Sequence, residues 1–111
     1  MPRILQSQLN NTEMVKLRTI AWLMIEILAW TKEAWKDYVY WQSQNKKTLK
    51  RINKLIVDTQ RTPLNGLGKP EPLKENLSGF WSRRIDESNR LIYAVDDKKL
   101  TIISCRYHYE K

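Results

Sequence analysis

Cysteine and histidine each occur once in these 111 residues, as Cys105 and His108, and that scarcity removes whole classes of chemistry. A single thiol excludes an internal disulfide and fits a reducing compartment. One thiol and one imidazole cannot assemble a zinc-type ligand set, so any catalysis is expected to run without a protein-held transition metal, and no cofactor is implied. Long apolar runs are missing too. The longest, Ile20 to Trp30, is interrupted by Glu26 and falls far short of the ~20 residues that cross a bilayer. The stretch before it carries only Arg3, Lys16 and Arg18 as cations, and no small-residue cleavage site follows, which argues against a signal peptide. The chain is accordingly read as cytoplasmic. Glycine and proline are few and bunched, with Pro63, Gly66, Gly68, Pro70 and Pro72 all between residues 62 and 73.

What is present is charge and tryptophan. Lys and Arg number 20 against 12 Asp and Glu, a formal net charge of +8, which points to anionic partners: nucleic acid, an acidic protein segment or a membrane surface. The apolar fraction of 41% and the five tryptophans indicate a folded chain, and the length suits one domain with one modest core.

Residues 1 to about 24 are polar and lack clear alternation until Ile20; a short helix from Thr12 to Met24, capped by Asn11 or Thr12, is one expectation. Ile27 to Trp30 reads as a buried strand. Thr31 then supplies an N-cap with Glu33 in the first turn, and Ala34, Tyr38 and Trp41 recur at helical spacing. Asn45 breaks the pattern. A second helix follows from about Lys46, with Leu49, Ile52, Leu55 and Ile56 on one face and Lys50, Arg51 and Lys54 on the other, either a solvated face or a track for phosphates. Such a helix lacks Trp or Phe on its apolar face, which disfavours a membrane-surface role. Residues 62–73 form a long loop of the kind that carries function. Three strands are expected after it, Phe80 to Ile85, Arg90 to Val95 and Leu100 to Tyr107, joined by Asp86-Glu87-Ser88-Asn89 and Asp96-Asp97-Lys98-Lys99. The order β-α-α-β-β-β predicts an α+β domain, an antiparallel sheet with two helices on one face.

The lone imidazole, with an unperturbed pKa of about 6.5, is the side chain most ready to exchange a proton near neutrality. Metal-free RNA cleavage needs a base for the 2′-hydroxyl, an acid for the leaving 5′-oxygen and a cation for the phosphorane. Glu71, held between Pro70 and Pro72, is a candidate base. Arg83, Arg84 and Arg90 sit at strand ends, where an arginine fork can bind phosphate or merely solubilise. His108 and Tyr109 end the last strand, so a Glu, an Arg and a His could converge on one sheet surface. Spacing alone leaves ordinary surface roles open for each. Phe80 and Trp81 either stack RNA bases or pack under the helices. Cys105, mid-strand with no second histidine to activate it, reads as core.

Several segments together resemble the YoeB (Txe/YoeB) toxins of the RelE-like superfamily of toxin–antitoxin systems. They are Lys69-Pro70-Glu71-Pro72-Leu73-Lys74, Asn76-Leu77-Ser78-Gly79-Phe80-Trp81-Ser82-Arg83-Arg84-Ile85, Arg90-Leu91-Ile92-Tyr93-Ala94-Val95 and Cys105-Arg106-Tyr107-His108-Tyr109. Trp30, Trp35, Asp37-Tyr38, Tyr40-Trp41 and Asp58-Thr59-Gln60-Arg61-Thr62-Pro63 extend the similarity upstream, so that it covers about residues 26 to 109.

The resemblance implies a small microbial-ribonuclease-like (RelE-like) fold and a ribosome-dependent endoribonuclease that cuts mRNA in the decoding site. The family's general base falls on Glu71, its phosphate-binding arginine on Arg90, its general acid on His108 and its terminal tyrosine on Tyr109. Products would be a 2′,3′-cyclic phosphate and a 5′-hydroxyl. Lys74 and Arg84, which flank these positions in sequence, are weaker candidates for RNA phosphate contacts. Implied partners are the ribosome with its mRNA and a cognate YefM-type antitoxin whose acidic segment folds along the toxin, with a homodimer or toxin–antitoxin hetero-oligomer as the assembly. The alternative is a degenerate, non-catalytic homologue that binds antitoxin or nucleic acid. Two features depart from the family pattern. Glu110-Lys111 continue past Tyr109, and residues 1–23 precede a family-like start at Met24, which is expected to be the natural initiator of a 24–111 toxin domain. N-terminal sequencing from the native host checks this; a dominant species beginning at Met1 or Pro2 excludes it.

Overall fold

Thr31 joins the first strand to the first helix and ties both to the far end of the chain. In the computed structural model, which describes residues 25–107, β1 (Ile27–Trp30) runs directly into α1 (Lys32–Gln44). The Thr31 hydroxyl accepts from the Ala34 N–H at 3.0 Å, capping the helix, and donates to the Ile103 carbonyl at 2.7 Å. Residues 1–24, with the expected Thr12–Met24 helix, and 108–111, with His108, Tyr109, Glu110 and Lys111, lie outside the described residues.

Asn45 does double duty between helices. Its extended backbone sends an N–H to the Trp41 carbonyl, ending α1, and its side chain accepts from Thr48 N at 3.1 Å, starting α2 (Lys46–Arg61). Ile52, Leu55 and Ile56 are buried from α2, as the apolar stripe predicts, while Lys50 and Lys54 stay exposed. Arg51, on the cationic face, instead donates to the Arg84 carbonyl at 3.2 Å.

The remaining elements are β2 (Glu71–Pro72), a single 3₁₀ turn (Glu75–Leu77), β3 (Trp81–Arg84), β4 (Arg90–Asp96) and β5 (Lys99–Ser104). The strands form one sheet in the order β1-β5-β4-β3-β2. The α+β class stands, with two corrections: the sheet is mixed, because β1 pairs parallel with β5, Ile27 opposite Lys99 through Trp30 opposite Ile102, and β1 is an edge strand with Ile27 and Leu28 exposed rather than the buried strand expected. The chain crosses from β1 through two helices, and its partner comes some 72 residues later, so no local pattern announces the pairing. The extra strand β2 is only two residues long. Pro72 fits it because β2 is an edge, where a missing N–H costs no ladder bond. The last strand also stops earlier than expected, at Ser104 rather than Tyr107.

Leu91, Tyr93, Leu100 and Ile102 point from β4 and β5 toward the helices and meet Ala34, Trp41, Ile52, Leu55 and Ile56, with Trp81 packed at the margin. Each such Ile or Leu, fully buried, contributes about 1.5–3 kcal/mol. Trp81 is therefore a packing residue. The opposite, helix-free face is where the polar chemistry collects.

Candidate active site

Registers decide which side chains share that face. Arg84 lies opposite Arg90, Ser82 opposite Ile92, and Glu71 opposite Ser82. Directly paired residues point the same way and alternate ones agree, so Glu71, Ser82, Arg84, Arg90 and Ile92 all lie away from the helices. Glu71 and Arg90, 19 residues apart, come within reach: Nη1 of Arg90 is 3.4 Å from Oε1 of Glu71. The arginine side chain is 18% exposed and the carboxylate 60%. With its carboxylate open to water the pair is worth little to stability, and Glu71 can be reached from solvent.

Lys74 and Arg84 are both exposed, Lys74 preceding the 3₁₀ turn and Arg84 ending β3. Arg84 is held by its backbone, its N–H on the Gly68 carbonyl at 2.6 Å and its carbonyl on Arg51. Neither side chain is ion-paired to Glu71.

His108 and Tyr109 lie outside the described residues, but the approach to them is well anchored. Cys105 is gripped from α1 on both backbone groups: its N–H donates to Asp37 Oδ2 at 3.0 Å and its carbonyl accepts from Trp41 Nε1 at 2.8 Å. These bonds replace the ladder that β5 has left. The Arg106 guanidinium sits over the Tyr40 ring at 3.5 Å from its centroid and over Tyr107 at 4.5 Å. Tyr107 donates its N–H to Asn89 Oδ1 at 2.6 Å and accepts from the Arg90 N–H at 3.2 Å. The chain therefore reaches residue 107 hydrogen-bonded to the backbone of Arg90.

Arg83 does not bind a ligand. It is fully buried on the helix side, where Nη1 contacts Asp58 Oδ2 at 2.7 Å and the Leu67 carbonyl at 3.1 Å. Nη2 donates to the Thr62 and Asn65 carbonyls at 2.5 and 2.8 Å, and Nε reaches the Tyr93 hydroxyl, which in turn donates to the Pro63 carbonyl. One guanidinium thus organises residues 62–67, the approach to Glu71. The Leu67 N–H and the Arg83 guanidinium, both bonded to Asp58, hold its carboxyl below the usual carboxylate range. Burial pushes Asp37 the other way, only partly offset by its bond from Cys105. The Cys105 thiol is fully buried and pushed up to about 12, first by desolvation and then by Asp37, which suits its reading as core.

Sequence reasoning passed over Asp58, Asp37 and Asn89. The signal for the first two was a carboxylate on an apolar stripe: Asp58 follows Leu55 by three, and Asp37 stands between Ala34 and Trp41.

A family profile described as the YoeB-like toxin of bacterial type II toxin–antitoxin systems matches residues 30–109. The chain belongs to this family. It is 63% identical over 82 residues to the toxin YoeB of Escherichia coli strain K12, a match spanning 74% of this chain and 98% of that one. Among solved structures, the YoeB dimer from Staphylococcus aureus superposes with a TM-score of 0.70 at 46% identity, over 75% of this chain and 97% of that one. The YoeB–YefM complex from the same organism gives a TM-score of 0.70, also at 46% identity, over 77% and 98%. Family membership accounts for the run of shared segments from Trp30 to Tyr109, and its RelE-like fold agrees with the two helices and five strands described above.

Proposed function

We propose that this toxin is a ribosome-dependent endoribonuclease that cleaves mRNA in the decoding site and thereby halts translation. The observation that carries the reading is the Arg90–Glu71 pair, 3.4 Å apart on the helix-free face. Beside it the chain arrives at residue 107 with its carbonyl on the Arg90 N–H, and His108 follows by one peptide.

In this mechanism Glu71 accepts the proton of the substrate's 2′-hydroxyl, and the freed oxygen attacks the adjacent phosphorus. The Arg90 guanidinium neutralises charge on the non-bridging oxygens of the phosphorane. The imidazolium of His108 gives its proton to the departing 5′-oxygen, leaving a 2′,3′-cyclic phosphate and a 5′-hydroxyl. Tyr109 takes the position of the family's terminal tyrosine, and Lys74 and Arg84 supply phosphate contacts. The nucleophile comes from the RNA, so the chain needs only to hold a base, an acid and a cation in line.

The +8 charge suits two polyanions in turn, ribosomal RNA and the acidic segment of a YefM-type antitoxin. We infer that such an antitoxin is the cognate partner and that a dimer or a toxin–antitoxin hetero-oligomer is the resting assembly.

Primer extension on mRNA from cells briefly expressing the chain tests this. Discrete cuts within codons are expected, and Glu71→Gln or His108→Ala should each reduce them by about 10²–10⁴-fold while the protein stays folded. Undiminished cutting by both variants would remove the mechanism. Growth arrest that is indifferent to both would favour binding without catalysis.

A further inference from the structure

Tyr107 carries a backbone φ of 68°, in the left-handed region. For a bulky aromatic residue that conformation is a genuine outlier, and it persists only where the surroundings over-determine it. Here the surroundings are specific. The Tyr107 N–H is taken by Asn89 Oδ1 at 2.6 Å and the Tyr107 carbonyl by the Arg90 N–H at 3.2 Å. Asn89 itself is buried and has one permitted amide orientation. Its Nδ2 donates to both Asp86 carboxylate oxygens at 3.1 Å, which leaves Oδ1 facing Tyr107. Asp86 is fixed in turn by the Ser88 and Asn89 N–H groups at 2.8 and 2.7 Å. Tyr107 is 60% exposed, so no core packing imposes the backbone angle.

We infer that Asn89 is a positioning residue: by holding Tyr107 in the left-handed conformation it sets the direction in which the chain leaves residue 107 beside Arg90. The inference rests on the proposed role of His108 as general acid. An ordinary β-region φ at residue 107 would send the following peptide another way, and proton delivery to a leaving oxygen is sensitive to errors of about 1 Å. Asn89 touches neither RNA nor the reacting atoms in this scheme. It acts through residue 107 alone.

The experiment is single-turnover cleavage of a short mRNA on programmed bacterial ribosomes, with the full chain saturating, for wild type, Asn89→Ala, Tyr107→Asn and the double variant. Asn89→Ala should lower the first-order rate by about ten- to a hundredfold, with little change in the half-saturating concentration. Asparagine tolerates the left-handed region far better than tyrosine, so in the Tyr107→Asn background the same change should cost only about a few-fold. A merely destabilising effect of Asn89→Ala would not depend on the identity of residue 107. Asp86→Ala, which frees the Asn89 amide, should give a smaller loss that Tyr107→Asn likewise relieves, and thermal melts confirm that each variant is folded at the assay temperature. An Asn89→Ala rate equal to wild type, or an equal loss with Tyr or Asn at 107, overturns the inference. His108→Ala, run alongside, separates the two readings: if it cleaves at the wild-type rate, the acid assignment falls, whatever the Asn89 cycle shows.

Discussion

Arg83 Nη1 meets Asp58 Oδ2 at 2.7 Å beneath the sheet; the wholly buried guanidinium would be stranded without that carboxylate, whose other oxygen also accepts from Arg61 Nη2 at 3.2 Å. The pair joins the end of α2 to the middle of β3, and the same guanidinium holds the carbonyls of residues 62, 65 and 67.

Removing one partner should therefore cost far more than replacing both. Arg83→Met is expected to destabilise the fold by about 3–5 kcal/mol, read as a shift in the urea midpoint at constant slope. Arg83→Met with Asp58→Leu should recover a large part of that loss. Hydrogen exchange in residues 62–67 should rise in both, because the loop loses its donor either way. A single variant as stable as wild type would mean the pair contributes no compensation.

Asp58 and Asp37, both buried, titrate with opposite signs. Asp58 is depressed in the folded state, so its stabilisation is complete above the ordinary carboxylate range and disappears as pH falls through the lower folded value. Stability of Asp58→Asn should accordingly fall less on acidification than that of wild type. Asp37 is raised, so its charged form opposes folding, and its contribution is greatest below the unfolded value and lost as pH rises through the folded one. Asp37→Asn keeps an acceptor for the Cys105 N–H and sheds the desolvated charge, so its melting temperature at neutral pH should equal or exceed wild type. Asp37→Ala leaves that N–H unpartnered and should lose about 1–3 kcal/mol. Equal melting temperatures for the two variants would mean the bond to Cys105 contributes nothing.

Cys105 should be chemically silent. Its thiol is fully buried, lies 3.8 Å from the Ala34 carbonyl and is pushed up to about 12. Ellman's reagent at pH 8 is expected to leave the native protein unmodified and to titrate one thiol per chain in denaturant. Rapid labelling of the folded protein would contradict this burial.

Gly66 has a φ of 116°, and a Cβ there would run into the Asp58 carboxylate. Gly66→Ala should lose stability by at least the ~1–3 kcal/mol of a strained backbone, and more if the Arg83 pair is displaced. Gly79 offers the comparison, since its φ is 100° but nothing lies near an added Cβ. Thermal melts should rank Gly66→Ala below Gly79→Ala.

Local features were legible in the sequence where the physics is local. Thr31 announces a helix cap and Asn45 the break between helices, the stripe from Ile52 to Ile56 announces the buried face of α2, and the Asp-rich turns announce the hairpins. The parallel β1–β5 pairing was hidden because it depends on residues far apart in the chain. Arg83 was read as a strand-end cation because charge is visible in a sequence and its partner is not; its alternation with Trp81 pointed to the helix side. In the candidate site, Glu71 and Arg90 were identifiable as residues, but their approach depends on two consecutive strand registers. Asn89 read only as turn chemistry, since nothing near it indicates that its side chain reaches residue 107.

The parallel pairing of β1 with β5 also has a mechanical meaning. The strands run side by side in one direction, with four matched positions. Tension applied between residue 25 and residue 107 therefore loads their hydrogen bonds in shear, all at once, rather than unzipping them one by one. A processive unfoldase pulling against the opposite end of the domain would meet its main resistance at this seam, before the two-residue β2 edge bore any load.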